Sequence, residues 1–232
     1  MIDVAVTRWA VWTPETEPDV SLLPPLLRRR MSRLTRMMLH VAYRVGTVDE
    51  LASWPAVFGS RHGEIGATAA LLERLARREP ITAAGFSHSV HNAQVGLFSI
   101  AAKNRGPTSA VAAGADTFGA SFLEAVATMQ RRACDGALLV VGDERLPDVF
   151  ARFEDEPSTP YAVAIVLGVA GTRVTFGPGA GDRPARRDGP DALAFIRWLE
   201  RGAETLTLGA RTPYTWTRRT ESTAREPSDL SV

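Results

Sequence analysis

The sequence predicts an α/β fold in which helices cover a mixed sheet. Three observations predict it. Short apolar runs alternate with stretches of helical periodicity along most of the chain. The later runs, residues 136–141 and 162–169, are apolar throughout rather than alternating, as strands buried on both faces are. The 232 residues, 45% of them hydrophobic and 23% charged, suffice for one large globular domain.

Residues 2–12 alternate, are rich in β-branched and aromatic types, and read as a first strand. Pro14, Pro18, Pro24 and Pro25 then punctuate a loop. Residues 26–45 read as one helix with an apolar stripe of Leu26, Leu27, Met31, Leu34, Met37, Met38 and Val41. Its first half carries Arg28, Arg29, Arg30, Arg33 and Arg36, which the helix dipole disfavours there. A short strand at 55–59 leads into the turn Ser60-Arg61-His62-Gly63-Glu64. Residues 68–78 form a helix stopped by Pro80, and 90–103 another, ended by Asn104 and Arg105-Gly106-Pro107. Residues 108–113 are a small-residue strand, 114–132 a long amphipathic helix and 136–141 a strand; the strand at 162–169 continues through 172–176. The chain divides into a domain over 1–176, a Gly/Pro linker over 177–190, a C-terminal helix and extension over 191–211 and a flexible polar tail over 212–232.

A formal net charge of +1 argues against a general nucleic-acid binder. The basic residues are arginines apart from Lys103, and the planar guanidinium suits carboxylate and phosphate partners. No apolar run approaches the roughly 20 residues of a membrane helix. The start Met1-Ile2-Asp3-Val4 has an early acid and no apolar signal core. Cys134 is the only cysteine, so no internal disulfide can form. These features lead us to expect a cytoplasmic protein without a membrane span.

The informative stretch is residues 85–144. Gly85-Phe86-Ser87-His88-Ser89-Val90-His91-Asn92 leads into a helix. Arg105-Gly106-Pro107 opens a strand that turns sharply at Gly114-Ala115 into the next helix, and a further strand ends in Val141-Gly142-Asp143-Glu144. A strand turning sharply into a helix is a mount for a nucleophile, because the turn exposes one side chain and the helix N-terminus stabilises negative charge beside it. Here that side chain is the methyl group of Ala115, which can neither attack nor carry a proton.

Together these segments resemble the β-ketoacyl synthases of fatty acid and polyketide synthesis, members of the thiolase-like superfamily. The family pattern is Gly-Pro, a short strand, and the nucleophilic cysteine eight positions after the proline; counted from Pro107, that position is Ala115. The helix with Phe122, Leu123, Glu124 and Ala125 resembles the helix after the cysteine. Val140 to Glu144 resembles the family's strand ending in Gly and Glu, and Phe58-Gly59-Ser60-Arg61-His62-Gly63 its early strand and glycine turn. The resemblance covers roughly residues 1–170. It departs from the pattern in lacking both the nucleophile and the C-terminal half with its two active-site histidines; none of His40, His62, His88 or His91 lies in a comparable segment.

The resemblance implies the N-terminal half of a thiolase-like fold. In size, and in its Arg-Arg-Arg-Met-Ser-Arg and Phe-Ser-His-Ser-Val-His-Asn segments, the chain is similar to the short chain-length-factor-like subunit of aryl polyene biosynthesis. The implied function is that of a non-catalytic subunit which pairs with an active, full-length β-ketoacyl synthase, supports it and shapes its acyl tunnel, with acyl carrier protein delivering substrate. By the same resemblance Phe86, Ser87, His88, Thr117 and Phe118 line the tunnel or the interface. Arg28, Arg29, Arg30, Arg33 and Arg36 dock the carrier protein, and the strand at 108–113 is similar to the one that pairs across the ketosynthase two-fold. No catalytic residue, cofactor or metal is expected. Two alternatives stand beside this: a cysteine-free acyltransferase or decarboxylase of the same family, and a carrier-protein-binding scaffold.

Other readings of single residues carry less. Cys134 lies between a helix and a strand, where an inert packed thiol is usual. Gly85-Phe86-Ser87-His88-Ser89 lacks the last glycine of a hydrolase elbow. His88 and His91 are three apart but have no further ligand cluster around them.

Overall fold

The computed structural model describes residues 1–154, 159–179 and 189–219. Its strands are β1 (Ile2–Trp12), β2 (Ala56–Gly59), β3 (Thr108–Val111), β4 (Gly136–Asp143), β5 (Tyr161–Gly168), β6 (Thr172–Pro178), β7 (Thr205–Leu208) and β8 (Tyr214–Arg218). They form one sheet in the order β3-β2-β4-β5-β1-β6-β8-β7. β2 runs parallel to β3 and β4, and the other neighbours are antiparallel. The expected mixed α/β sheet is therefore present, with β3 at one edge.

The central strands show why the sequence reads as uninterrupted apolar runs. Side chains alternate across a strand, and here both faces are covered. Leu139 and Val141 of β4 face one core, with Val57, Phe122, Ile165, Phe176 and Trp216. Leu138 and Val140 face the other, with Phe58, Phe98, Leu34 and Met38. The helices α7 (Thr117–Arg131) and α8 (Asp191–Arg201) cover the first face; α2 (Arg33–Val45), α3 (Val48–Ser53) and α6 (Ala93–Ala102) cover the second. α2 contributes Leu34, Met37, Met38 and Val41, all at 1% exposure or less. Each is worth about 1.5–3 kcal/mol of burial.

The helix expected over 26–45 is two helices. α1 (Pro25–Arg28) ends after one turn, and α2 begins at Arg33 behind the cap residue Ser32. The Ser32 hydroxyl accepts from the Thr35 backbone N–H at 3.0 Å, satisfying one of the orphan donors of the first turn. α2 stops at Gly46, and α3 restarts with a capping box in which Thr47 and Glu50 bond reciprocally. α4 (Ile65–Ala76) and the short α5 (Ala83–Ser87) fill the connection from β2 toward α6.

The expected boundary at residue 212 is corrected. Tyr214–Arg218 is not tail but β8, hydrogen-bonded between β6 and β7. Trp216 is fully buried there against Phe118, Phe122, Phe176 and Phe195. The expected linker begins inside β6, which extends to Pro178. The rest of that linker at 180–188, and residues 220–232 of the expected tail, lie outside the described residues.

Candidate functional site

The C-terminal ends of the parallel strands β2, β3 and β4 converge at one end of the sheet, where α/β proteins place their sites. The elbow lies after β3. Gly114 adopts φ +58°, a left-handed conformation that disfavours a side chain. A single 3₁₀ turn over Gly114–Asp116 then feeds α7. Thr117 locks the turn: its hydroxyl donates to the Gly114 carbonyl at 2.7 Å and accepts from the Ala113 N–H at 3.0 Å. Ala115 is half-buried at the apex, with no group able to act as a nucleophile.

The residue after it has a role that spacing does not reveal. Asp116 is 6% exposed, and its carboxylate accepts from three successive backbone amides. These are Ala210, Arg211 at 3.0–3.1 Å, and Thr212 at 3.2 Å, in the loop joining β7 to β8. The elbow is thus stapled to the C-terminal hairpin. Tyr214 of that hairpin lies so close to Gly119 of α7 that a Cβ there would collide with its ring.

A second group of acids sits beyond β2 and β4. Asp143 at the end of β4 accepts from Ser60 Oγ at 2.7 Å and His62 N at 3.1 Å, and from the Tyr161 hydroxyl at 3.3 Å. Burial of its carboxyl pushes its pKa up to about 6 despite these bonds. Glu64 accepts from Ser32 Oγ at 2.6 Å, Thr35 Oγ1 at 3.1 Å and Gln94 Nε2 at 3.2 Å. Burial raises its pKa too, against those hydrogen bonds and the attraction of His88. Glu144 is raised first by burial; Arg33 opposes the rise and Glu64 adds to it. His91 donates from Nε2 to the Ser60 carbonyl at 2.9 Å. These acids hold the loop after β2 and the start of α2 in place. Among the described residues no group of three or more His, Cys, Asp or Glu side chains is arranged to hold a metal ion.

The raised Asp143 gives a pH prediction. Its folded pKa lies above its unfolded value, so the folded state binds the proton more tightly. That contribution is full below about pH 4 and is lost as pH rises toward 6, with an upper bound of about 3 kcal/mol. Asp143→Asn keeps an acceptor for Ser60 and His62 and cannot ionise. In urea titrations it should match the wild type near pH 4 and be the more stable protein at pH 7.5. Parallel pH profiles would remove Asp143 as the cause.

The structure separates the residues expected at a tunnel or interface. Phe86 and Ser87 are exposed on α5, and His88 caps its end. Thr117 is consumed by the elbow. Phe118 packs in the opposite core, 5.2 Å from the Phe195 ring and 5.6 Å from Trp216. The expected arginine cluster is also divided. Arg36 turns inward, donating to the carbonyls of Arg28 at 2.7 Å and Met31 at 3.4 Å. Arg28 is half-buried, Arg33 lies over the Trp12 ring at 5.8 Å, and Arg29 and Arg30 are exposed. Cys134 is half-buried beside the first core.

The family model for the β-ketoacyl synthase N-terminal domain matches residues 5–217. One similar structure is the ketosynthase ApeO in complex with its chain length factor ApeC from Xenorhabdus doucetiae. The match has 26% identity and a TM-score of 0.76, and covers 94% of this chain and 100% of the matched chain. The ishigamide ketosynthase/chain length factor matches at 15% identity and TM-score 0.60, over 87% of this chain and 74% of that one. An oxazolomycin ketosynthase domain from Streptomyces albus matches at 14% identity and TM-score 0.52, over 87% of this chain but 59% of its own length. The last two share the fold. No curated protein sequence matches the chain.

Proposed function

The chain belongs to the β-ketoacyl synthase N-terminal domain family, and from that membership we propose that it is a non-catalytic, chain-length-factor-like subunit. It pairs with an active β-ketoacyl synthase in fatty acid or polyketide synthesis of the aryl polyene type, and acyl carrier protein serves the pair. The observation that carries the reading is the elbow. Ala115 stands where the family pattern places its nucleophile, and Asp116 beside it is engaged by a hairpin of the same chain. Two facts support the pairing. The match to a chain of the ApeO–ApeC complex spans that whole chain, and among the described residues β3 is an edge strand that a partner can extend.

Co-expression with the neighbouring ketosynthase should give a stable complex whose products change when this chain is omitted. The purified chain alone should not condense acyl thioesters, and Ala115→Cys should not confer condensation, because none of His40, His62, His88 or His91 lies in a segment comparable to those of the family's active-site histidines. Condensation by either the isolated wild type or the cysteine variant would refute the proposal. The cysteine-free enzyme reading is separated by substituting Ser87, His88 and His91: lost turnover in an intact complex would favour it.

A further inference from the structure

We propose that the second edge of β1 over Arg8–Trp12 takes up an extended segment of a protein partner, fixed by a carboxylate that His40 and Arg44 bind. This site is separate from the pairing at β3 and does not depend on it. β1 pairs with β5 from Ala5 to Trp12, but with β6 only from Ile2 to Val6. The connection from β5 to β6 crosses β1 at that point, and a Cβ on Gly171 would strike the Val6 carbonyl. Among the described residues, Arg8–Trp12 therefore has a strand on one side only, over a length of about 17 Å. A row of open backbone N–H and C=O groups is a template for an added strand. A depression of about 480 Å³ runs along it, lined by Trp9, Ala10, Val11 and Trp12 in succession. Successive strand residues point to opposite faces, so a cavity that touches all four follows the backbone edge.

The other wall carries His40 and Arg44, one turn apart on α2. The Asp19 backbone N–H points at His40 Nδ1 at 2.9 Å. A backbone hydrogen cannot turn away, so Nδ1 is the acceptor and Nε2 carries the ring proton. The Asp19 carbonyl lies 3.0 Å from the same nitrogen, but a proton on Nδ1 would collide with that N–H. Nε2 then faces Arg44 Nη1 at 3.5 Å. Both groups are donors, so neither satisfies the other. His40 is only 9% exposed, and a buried donor without an acceptor is costly. Among the described residues neither side chain has an ion-pair partner. Two acids stand nearby, each engaged locally: Glu15 accepts from the Thr13 hydroxyl, and Asp19 Oδ1 from the Ser21 N–H at 2.8 Å. A carboxylate between Nε2 and the guanidinium would accept from both. A free anion would leave the carbonyls of the β1 edge unused. An extended peptide uses the N–H and C=O groups together and brings the carboxylate on a side chain, which identifies the occupant as a strand bearing Asp or Glu.

The test titrates the full, isotopically labelled chain with the end-capped peptide Thr-Val-Glu-Val-Thr and follows amide and imidazole resonances by NMR. The matched peptide Thr-Val-Gln-Val-Thr and sodium acetate serve as controls. The Glu peptide should shift the amides of 8–12 and the His40 ring, and the Gln peptide should bind about fivefold more weakly, the worth of hydrogen bonds to a charged acceptor. Arg44→Ala, an exposed position, and His40→Asn should each remove that preference while leaving the fold intact. His40→Asn keeps an acceptor for the Asp19 N–H and lacks the Nε2 donor. Equal binding of the two peptides, shifts that map elsewhere, or no shift at millimolar peptide would overturn the proposal. Acetate reproducing the whole pattern would reduce the site to a bare anion contact and overturn the strand. Slow exchange of every amide over 8–12 in the free chain would mean that the chain itself already covers this edge, and would overturn the partner.

Discussion

Asp116→Ala should destabilise the protein by about 2–4 kcal/mol and release the C-terminal hairpin from the elbow. Three backbone amides lose their acceptor at once. Each orphaned donor costs about 1–3 kcal/mol when buried, and the partial exposure of the loop at Arg211 and Thr212 lowers the sum. Asp116→Asn should recover little, since its amide nitrogen would point a donor at donors. Urea unfolding gives the free energy, and hydrogen exchange gives the location. Amides of 205–218 should exchange faster in the variant, while those of β4 and β5 change only through global stability. Unaltered exchange across the hairpin would show that the staple does not hold it.

Trp216→Ala should cost about 3–5 kcal/mol, the range for removing a buried large aromatic. For a chain of this size, that is on the order of 10 °C in Tm. The indole has no exposure and contacts five aromatic neighbours, with ring centroids at 5.6 Å (Phe118), 5.5 Å (Phe122), 5.0 Å (Phe176), 5.5 Å (Phe195) and 6.4 Å (Tyr214). Among the described residues its Nε1–H is buried without an acceptor, so Trp216→Phe removes an unsatisfied donor along with part of the volume. The phenylalanine variant should therefore lose much less stability than the alanine variant. Equal losses would mean that ring volume does not decide the site and that the phenylalanine ring does not settle into the space left by the indole.

The central strands were legible because burial on both faces leaves no polar alternation to confuse with loop, as in 136–141 and 162–169. β8 was not. Tyr214, Trp216 and Arg218 alternate with Thr215 and Thr217, so only one face is apolar, and the flanking polar stretch masked a period of two. The missed break between α1 and α2 had a local signal, since Ser32 is a good cap residue, but the apolar stripe of Met31 and Leu34 ran across it. At the site, Ala115 could be found by counting from Pro107. Asp116 could not be assigned, because its partners lie more than ninety residues away at 210–212. The arginine cluster misled for a related reason: sequence shows five cations, and only coordinates show that Arg36 spends its donors on the carbonyls ending α1.

The place of β1 in the sheet also sets the order in which the chain can be completed. β1 is the first segment made, yet its neighbours are β5 and β6, with Trp12 opposite Ala162 and Ile2 opposite Phe176. Neither edge of this apolar strand has a partner until some three quarters of the chain has left the ribosome. Such long sequence separation slows folding and leaves strand edges open to aggregation. Soluble yield should therefore respond more to translation speed and chaperone supply than to the stability of the finished fold.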